Sequence, residues 1–106
     1  MKTSNFFTGR NKMNIIVIDG RKMTDREAAH TYLKRKLSLP DYYGRNLDAL
    51  YDCLCEMDNV QIVVAYVAEM KDNLRRYADN IINVFEAAEE KNPKLSVIVE
   101  ELVDEL

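Results

Sequence analysis

Three short apolar runs rich in valine and isoleucine set the limits on what this chain can fold into. They are Ile15-Ile16-Val17-Ile18, residues 60–68 and Leu95 to Val99, and each reads as a β-strand. Between them lie two longer stretches whose apolar residues recur at helical spacing. Strands separated by helices are joined by crossovers, and crossovers produce parallel pairs. The expectation is an α/β fold, a small parallel sheet with helices packed on it. In residues 60–68 the only polar member is Gln61, so this strand is expected to be covered on both faces. At 106 residues the chain has room for about one domain, given ~100–200 residues per domain.

Asp19-Gly20 closes the first run as a turn. Thr24-x-x-Glu27 reads as a capping box opening a helix over about Asp25 to Leu37, and Pro40 stops it. Ala29, Leu33 and Leu37 form its apolar face, with Ala28 and Tyr32 beside them. Tyr42-Tyr43-Gly44 is a short connection in which the glycine permits a turn, and Asn46 caps a second helix. From there positions 47, 50, 51, 54 and 57 keep a strong amphipathic period to Met57. A further helical stretch, about residues 69–91, is expected to break near Asp79 and carries Ala78, Ile81, Ile82, Phe85 and Ala88 as its apolar stripe. Asn92-Pro93 reads as a turn. Residues 1–13 are polar, mixed and without period, so they predict a flexible extension, with residues 14–106 as a single domain.

The longest uninterrupted apolar run, Ile62 to Ala68, is seven residues, against the ~20 that a membrane helix needs. No membrane role is expected, and no stretch near the N-terminus resembles a secretory signal. Cys53 and Cys55 are too close in sequence to bridge well, which favours a reducing, cytoplasmic setting. The net charge of −3 is unevenly spread. Residues 20–38 hold six basic and two acidic side chains, whereas residues 39–59 hold five acids against Arg45. That net −4 segment repels a phosphate backbone and attracts a basic protein, so direct nucleic-acid binding is not expected there.

On a wheel of the second helix, Leu47, Leu50, Leu54 and Met57 share one side. Asp48, Asp52 and Glu56 fall at i, i+4, i+8 on the other, an arrangement that costs a few tenths of a kcal/mol per like-charge pair. Asp48 in the first turn complements the helix dipole, but Asp52 and Glu56 lie too far along for that. The stripe is either a solvated face or an acidic docking surface, with Tyr42 and Tyr51 supplying aromatic contact area. His30 adjoins a core face and reads as a satisfied structural histidine. Cys53 reads as a small core residue, Cys55 as more exposed, and Tyr66, Tyr77 and Phe85 as core. No histidine-rich ligand set, Gly-rich phosphate loop or activated nucleophile is present, so neither catalysis, nor a metal, nor a cofactor is expected.

The run from Leu39 to Leu54, LPDYYGRNLDALYDCL, closely resembles the signature of the barstar family of intracellular ribonuclease inhibitors. The order of elements over residues 14–99 fits the same family, including Asp19-Gly20 and Val84-Phe85. The resemblance implies a three-stranded parallel sheet packed against three or four helices. It also implies an inhibitor that plugs the active site of a small basic ribonuclease with its second helix and the loop before it. Carried over by position, the binding surface is Tyr42, Gly44, Asn46, Leu47, Asp48, Tyr51, Asp52 and Cys55. Asp52 matches the central carboxylate that occupies the nuclease's phosphate pocket.

Three positions depart from the family's best-known member. Tyr51 replaces a larger aromatic, Met57 replaces a second one, and a further acidic contact falls on Ala87, with Glu86 and Glu90 close by. Glu56, Glu86 and Glu90 are therefore expected at the rim. The partner implied is a barnase-type ribonuclease or a bacterial nuclease toxin that this chain neutralises as an immunity protein. Two other readings compete: a barstar-like module for a different basic protein, and a carboxylate-dependent enzyme using Asp48 and Asp52. Metal titration followed by thermal shift separates the last of these.

Overall fold

A computed structural model describes residues 13–100. The expected extension over residues 1–13 lies outside the described residues except for Met13, as does the acidic tail after Glu100. The elements run β1 (Asn14–Asp19), a single 3-10 turn at Gly20–Lys22, α1 (Arg26–Lys36), α2 (Leu47–Cys55), β2 (Val60–Ala65), α3 (Val67–Leu74), α4 (Arg76–Lys91) and β3 (Leu95–Val99). The three strands form one parallel sheet in the order β1-β2-β3, with Ile16 opposite Ile62 and Ile62 opposite Val97. This is the expected α/β architecture, with four helices. Among the described residues no helix is long and apolar enough to cross a membrane.

Strand pleat sends Ile18, Ile62 and Val64 into a core completed by Leu33, Leu50, Leu54, Met70, Ile81 and Phe85, all fully buried. The opposite sheet face is not covered as expected. Ile15 is 64% exposed, Val17 47% and Ile98 37%. Val63 lies opposite Val17 and Ile98 in the register and is half-buried, sheltered by its neighbours within the sheet. β2 is also shorter than the apolar run, because Tyr66 turns left-handed at φ 57 and Val67 opens α3. At the crossing of β1 and α3, Gly20 is required by space. A Cβ there would sit 2.4 Å from the Tyr66 carbonyl oxygen and 2.9 Å from Met70 Cβ.

Helix ends differ from the sequence reading in detail. The cap of α1 is Asp25, whose carboxylate accepts from the Ala28 amide at 2.8 Å, so Thr24 does not form the box. α1 ends in a Schellman motif: Ser38 is left-handed, its amide donates to Arg35, and the Leu39 amide donates to Lys34. The break between α3 and α4 falls at Arg75, φ 58 and ψ −129, and not at Asp79, which sits in the first turn of α4.

Candidate functional site

α2 begins where Asn46 accepts from the Ala49 amide at 2.7 Å, as its position before the first apolar residue predicts. Its period divides the helix cleanly. Leu50 and Leu54 are fully buried, and Leu47, Cys53 and Met57 pack partly against the core. Asp48 and Asp52 are exposed on the other side. Glu56 is exposed too, but as the C-cap it follows the helix and does not belong to its last turn. The helix's far end is held from outside: the buried Asn92 donates from Nδ2 to the carbonyls of Leu54 (3.1 Å) and Met57 (2.8 Å). Sequence reading treated Asn92 as a plain turn residue.

Of the five acids in residues 39–59, Asp41 and Asp58 meet Lys34 (3.7 Å) and Lys94 (3.4 Å) at the surface. Asp48, Asp52 and Glu56 have no cationic partner among the described residues. Their fields reach neighbouring groups. Burial raises the Cys53 thiol above its ordinary pKa, and the charges of Glu56 and Asp52 raise it further. Tyr51 is half-buried, and its pKa is raised first by a hydrogen bond with Cys55, then by burial, and then by the charges of Cys55, Asp52 and Glu90. Cys55 is thus half-buried against its own helix, less exposed than the wheel suggests.

The loop before α2 carries Tyr42, 87% exposed, and the exposed Gly44. The left-handed residue of this turn is Arg45, φ 58, and not Gly44. Gly44 matters through space, since a Cβ would lie 3.2 Å from Asn46 Nδ2 and 3.3 Å from Ala49 Cβ. Arg45 donates to the Thr31 hydroxyl on α1. Tyr43 points inward, and its hydroxyl meets His30 Nδ1 at 2.6 Å, while His30 Nε2 meets the Tyr77 hydroxyl at 2.7 Å. His30 is therefore a satisfied buried histidine, as its position predicts. Phe85 is core as expected. Tyr66 and Tyr77 are only half-buried, with the Arg21 and Arg26 guanidinium groups 3.7 and 4.1 Å above their rings.

α4 packs beside α2 and carries the acids expected at the rim. Tyr51, Ala87, Glu90 and Lys91 line a shallow cavity of about 220 Å³. Glu86, Ala87, Glu89 and Glu90 line the next depression along the helix. Glu90 shares the cavity with Tyr51, whereas Glu86 lines only the second depression, with Ala87 and Glu90 common to both. Glu89 is engaged elsewhere, accepting from the Val97 amide on the edge of β3 at 2.9 Å. No group of three metal-ligating side chains occurs among the described residues.

A parallel three-stranded sheet, helices over one of its faces, and an acidic helix face beside an exposed aromatic loop make this a small α/β protein with an exposed acidic surface. The family pattern described as "Barstar (barnase inhibitor)" matches residues 13–100, and the chain belongs to the barstar family. A protein of Bacillus subtilis (strain 168) named "Putative ribonuclease inhibitor YrdF" is 42% identical over 91 residues, covering 83% of this chain and 100% of that one.

Proposed function

We propose that this chain inhibits a small basic ribonuclease, of the barnase type or a nuclease toxin, by seating α2 and its preceding loop in the enzyme's active site. The observation that carries the reading is Asp52: exposed mid-helix, without a cationic partner among the described residues, and flanked by Tyr51. A carboxylate so placed mimics a substrate phosphate for a pocket built of cations. Tyr42, Gly44, Asn46, Leu47, Asp48, Tyr51 and Cys55 surround it as the contact surface, and Glu56, Glu86 and Glu90 form the rim. Family membership and the name of the Bacillus subtilis relative support the same assignment. The chain acts by occlusion and carries out no chemistry of its own.

RNA cleavage by a panel of small basic ribonucleases, barnase among them, is the test. The wild-type chain is expected to suppress cleavage by at least one of them. Asp52→Ala is expected to weaken that complex by ~2–5 kcal/mol, mainly through faster dissociation, a range set by measurements that include the barstar family's own complex with barnase. Undiminished inhibition by Asp52→Ala would sink the mechanism. RNA cleavage by the purified chain itself, abolished by Asp48→Asn, would replace it with the enzymatic reading.

A further inference from the structure

Tyr43, His30 and Tyr77 come from the loop, α1 and α4, and they form one hydrogen-bonded chain with contacts of 2.6 and 2.7 Å. His30 is 2% exposed and Tyr43 5% exposed, so water does not compete for the bond between them, while Tyr77 closes the chain from a half-buried position. The rings are tilted or edge-on to one another at centroid separations of 5.7 and 5.9 Å, which fixes the imidazole's plane as well as its contacts. Tyr43 sits between two residues of the proposed contact surface, Tyr42 and Gly44. Its amide donates to the Pro40 carbonyl at 2.9 Å, so the backbone at Tyr43 and the side chain at Tyr43 are both tied. Arg45's bond to Thr31, the Asn46 cap, the surface pair Lys34–Asp41 and the buried Leu39 also join the segment before α2 to the rest of the fold; this chain is its buried side-chain hydrogen-bonded tie.

We propose that His30 and Tyr77 are positioning residues for the docking loop: through Tyr43 they hold it to α1 and α4, so that Tyr42 and Gly44 are presented beside α2 in one orientation. The description of this loop as a docking loop rests on the proposed function. Its positioning does not.

The chemistry makes the arrangement depend on a neutral imidazole. A neutral ring donates from one nitrogen and accepts at the other, so one tyrosine hydroxyl accepts and the other donates. A protonated ring donates from both. The hydroxyl that had donated must then reverse and accept, giving up the bond its hydrogen made to the ring. The groups facing His30 also oppose protonation. Arg45 in the loop and Arg26 on α1 are cationic, Tyr43 and Tyr77 are neutral, and Cys53 on α2 acts on Tyr43. Burial lowers the His30 pKa in the same direction.

The test is amide hydrogen exchange on the full chain, which needs no nuclease and so fails or succeeds separately from the inhibitor reading. Tyr77→Phe keeps the ring, including its stacking beneath Arg26, and removes the hydroxyl. The Tyr43 amide is expected to exchange about tenfold faster in this variant, the change in open population that accompanies loss of a buried hydrogen bond. The Ile62 and Val64 amides in the central strand are expected to be unaltered. In the wild type, opening at Tyr43, corrected for intrinsic exchange, is expected to rise as the pH falls below the ordinary histidine value of 6.5 and His30 takes up its proton. In His30→Gln, whose amide stays neutral, the profile is expected to be flat. Equal acceleration at Tyr43 and in β2 would reduce the pair to general structural support and overturn the proposal. An unchanged Tyr43 amide in Tyr77→Phe, or the same pH profile in His30→Gln as in the wild type, would overturn it as well.

Discussion

A single amide at position 92 closes the end of α2, donating to the Leu54 carbonyl, which also accepts from the Met57 amide at 3.2 Å, and to the Met57 carbonyl just past the helix. Asn92→Ala removes both side-chain bonds and is expected to cost ~1–3 kcal/mol in chemical denaturation. His30 gives the residue scale its pH dependence. Burial first, then the charges of Arg45 and Arg26, hold its pKa below the ordinary 6.5 in the folded state. Protons therefore bind the unfolded chain first as pH falls. The stability held by the neutral ring is complete well above pH 6.5 and is lost as pH drops from there toward the lower folded value. The loss approaches ~1.4 kcal/mol per pH unit at most, the limit for one proton. Denaturant midpoints measured from about pH 8 to pH 5 are expected to show this fall in the wild type and not in His30→Gln.

Elements show where sequence and structure part company. α2 was legible because burial and exposure alternate at the helical period itself, and with it came Asp48 and Asp52 of the candidate site. Leu54→Ala should accordingly cost ~2–5 kcal/mol, through lost burial and a residual cavity. Asp52→Ala should leave stability unchanged or raise it by a few tenths, because it relieves repulsion along the stripe. Equal destabilisation in thermal unfolding would mean the faces are reversed. The break before α4 was not legible. It is made by the backbone of Arg75 at φ 58, where no glycine or proline marks the position. That conformation is strained for any side chain, so Arg75→Gly is expected to raise stability by about 1 kcal/mol. The same blindness moved the turn at residues 42–46 onto Gly44 when Arg45 makes it, and extended β2 past Tyr66. His30's tie to Tyr43 and Tyr77 joins residues far apart in the chain, and no local period records such a contact.

Across the whole molecule, charge is sorted by segment. The basic residues 20–38 begin at the 3-10 turn and run through α1, and the net −4 of residues 39–59 covers the loop, α2 and the turn after it. Part of that −4 is damped at its edges, where Lys34 and Lys94 meet Asp41 and Asp58, both exposed pairs of the kind worth ~0–1 kcal/mol. Asp48, Asp52 and Glu56 lack such partners among the described residues, so their field projects from one side of α2. A basic nuclease approaching that side is steered before it touches, and steering of exposed charges is screened beyond a Debye length of ~8 Å at physiological ionic strength. Association of the proposed complex is therefore expected to slow steeply as salt rises, with dissociation changing far less. In the proposed complex Glu56 lies at the exposed margin and contributes to the field without entering the pocket. Glu56→Gln should lower the association rate and flatten its salt dependence, while dissociation shifts only mildly. Asp52 contributes to the same field but in the proposed complex would be desolvated, so Asp52→Ala should act chiefly on dissociation. Stopped-flow association and dissociation rates at two salt concentrations, for the wild type and both variants, separate the two roles. Salt-independent association in the wild type would remove the steering role, whatever Asp52 does once bound.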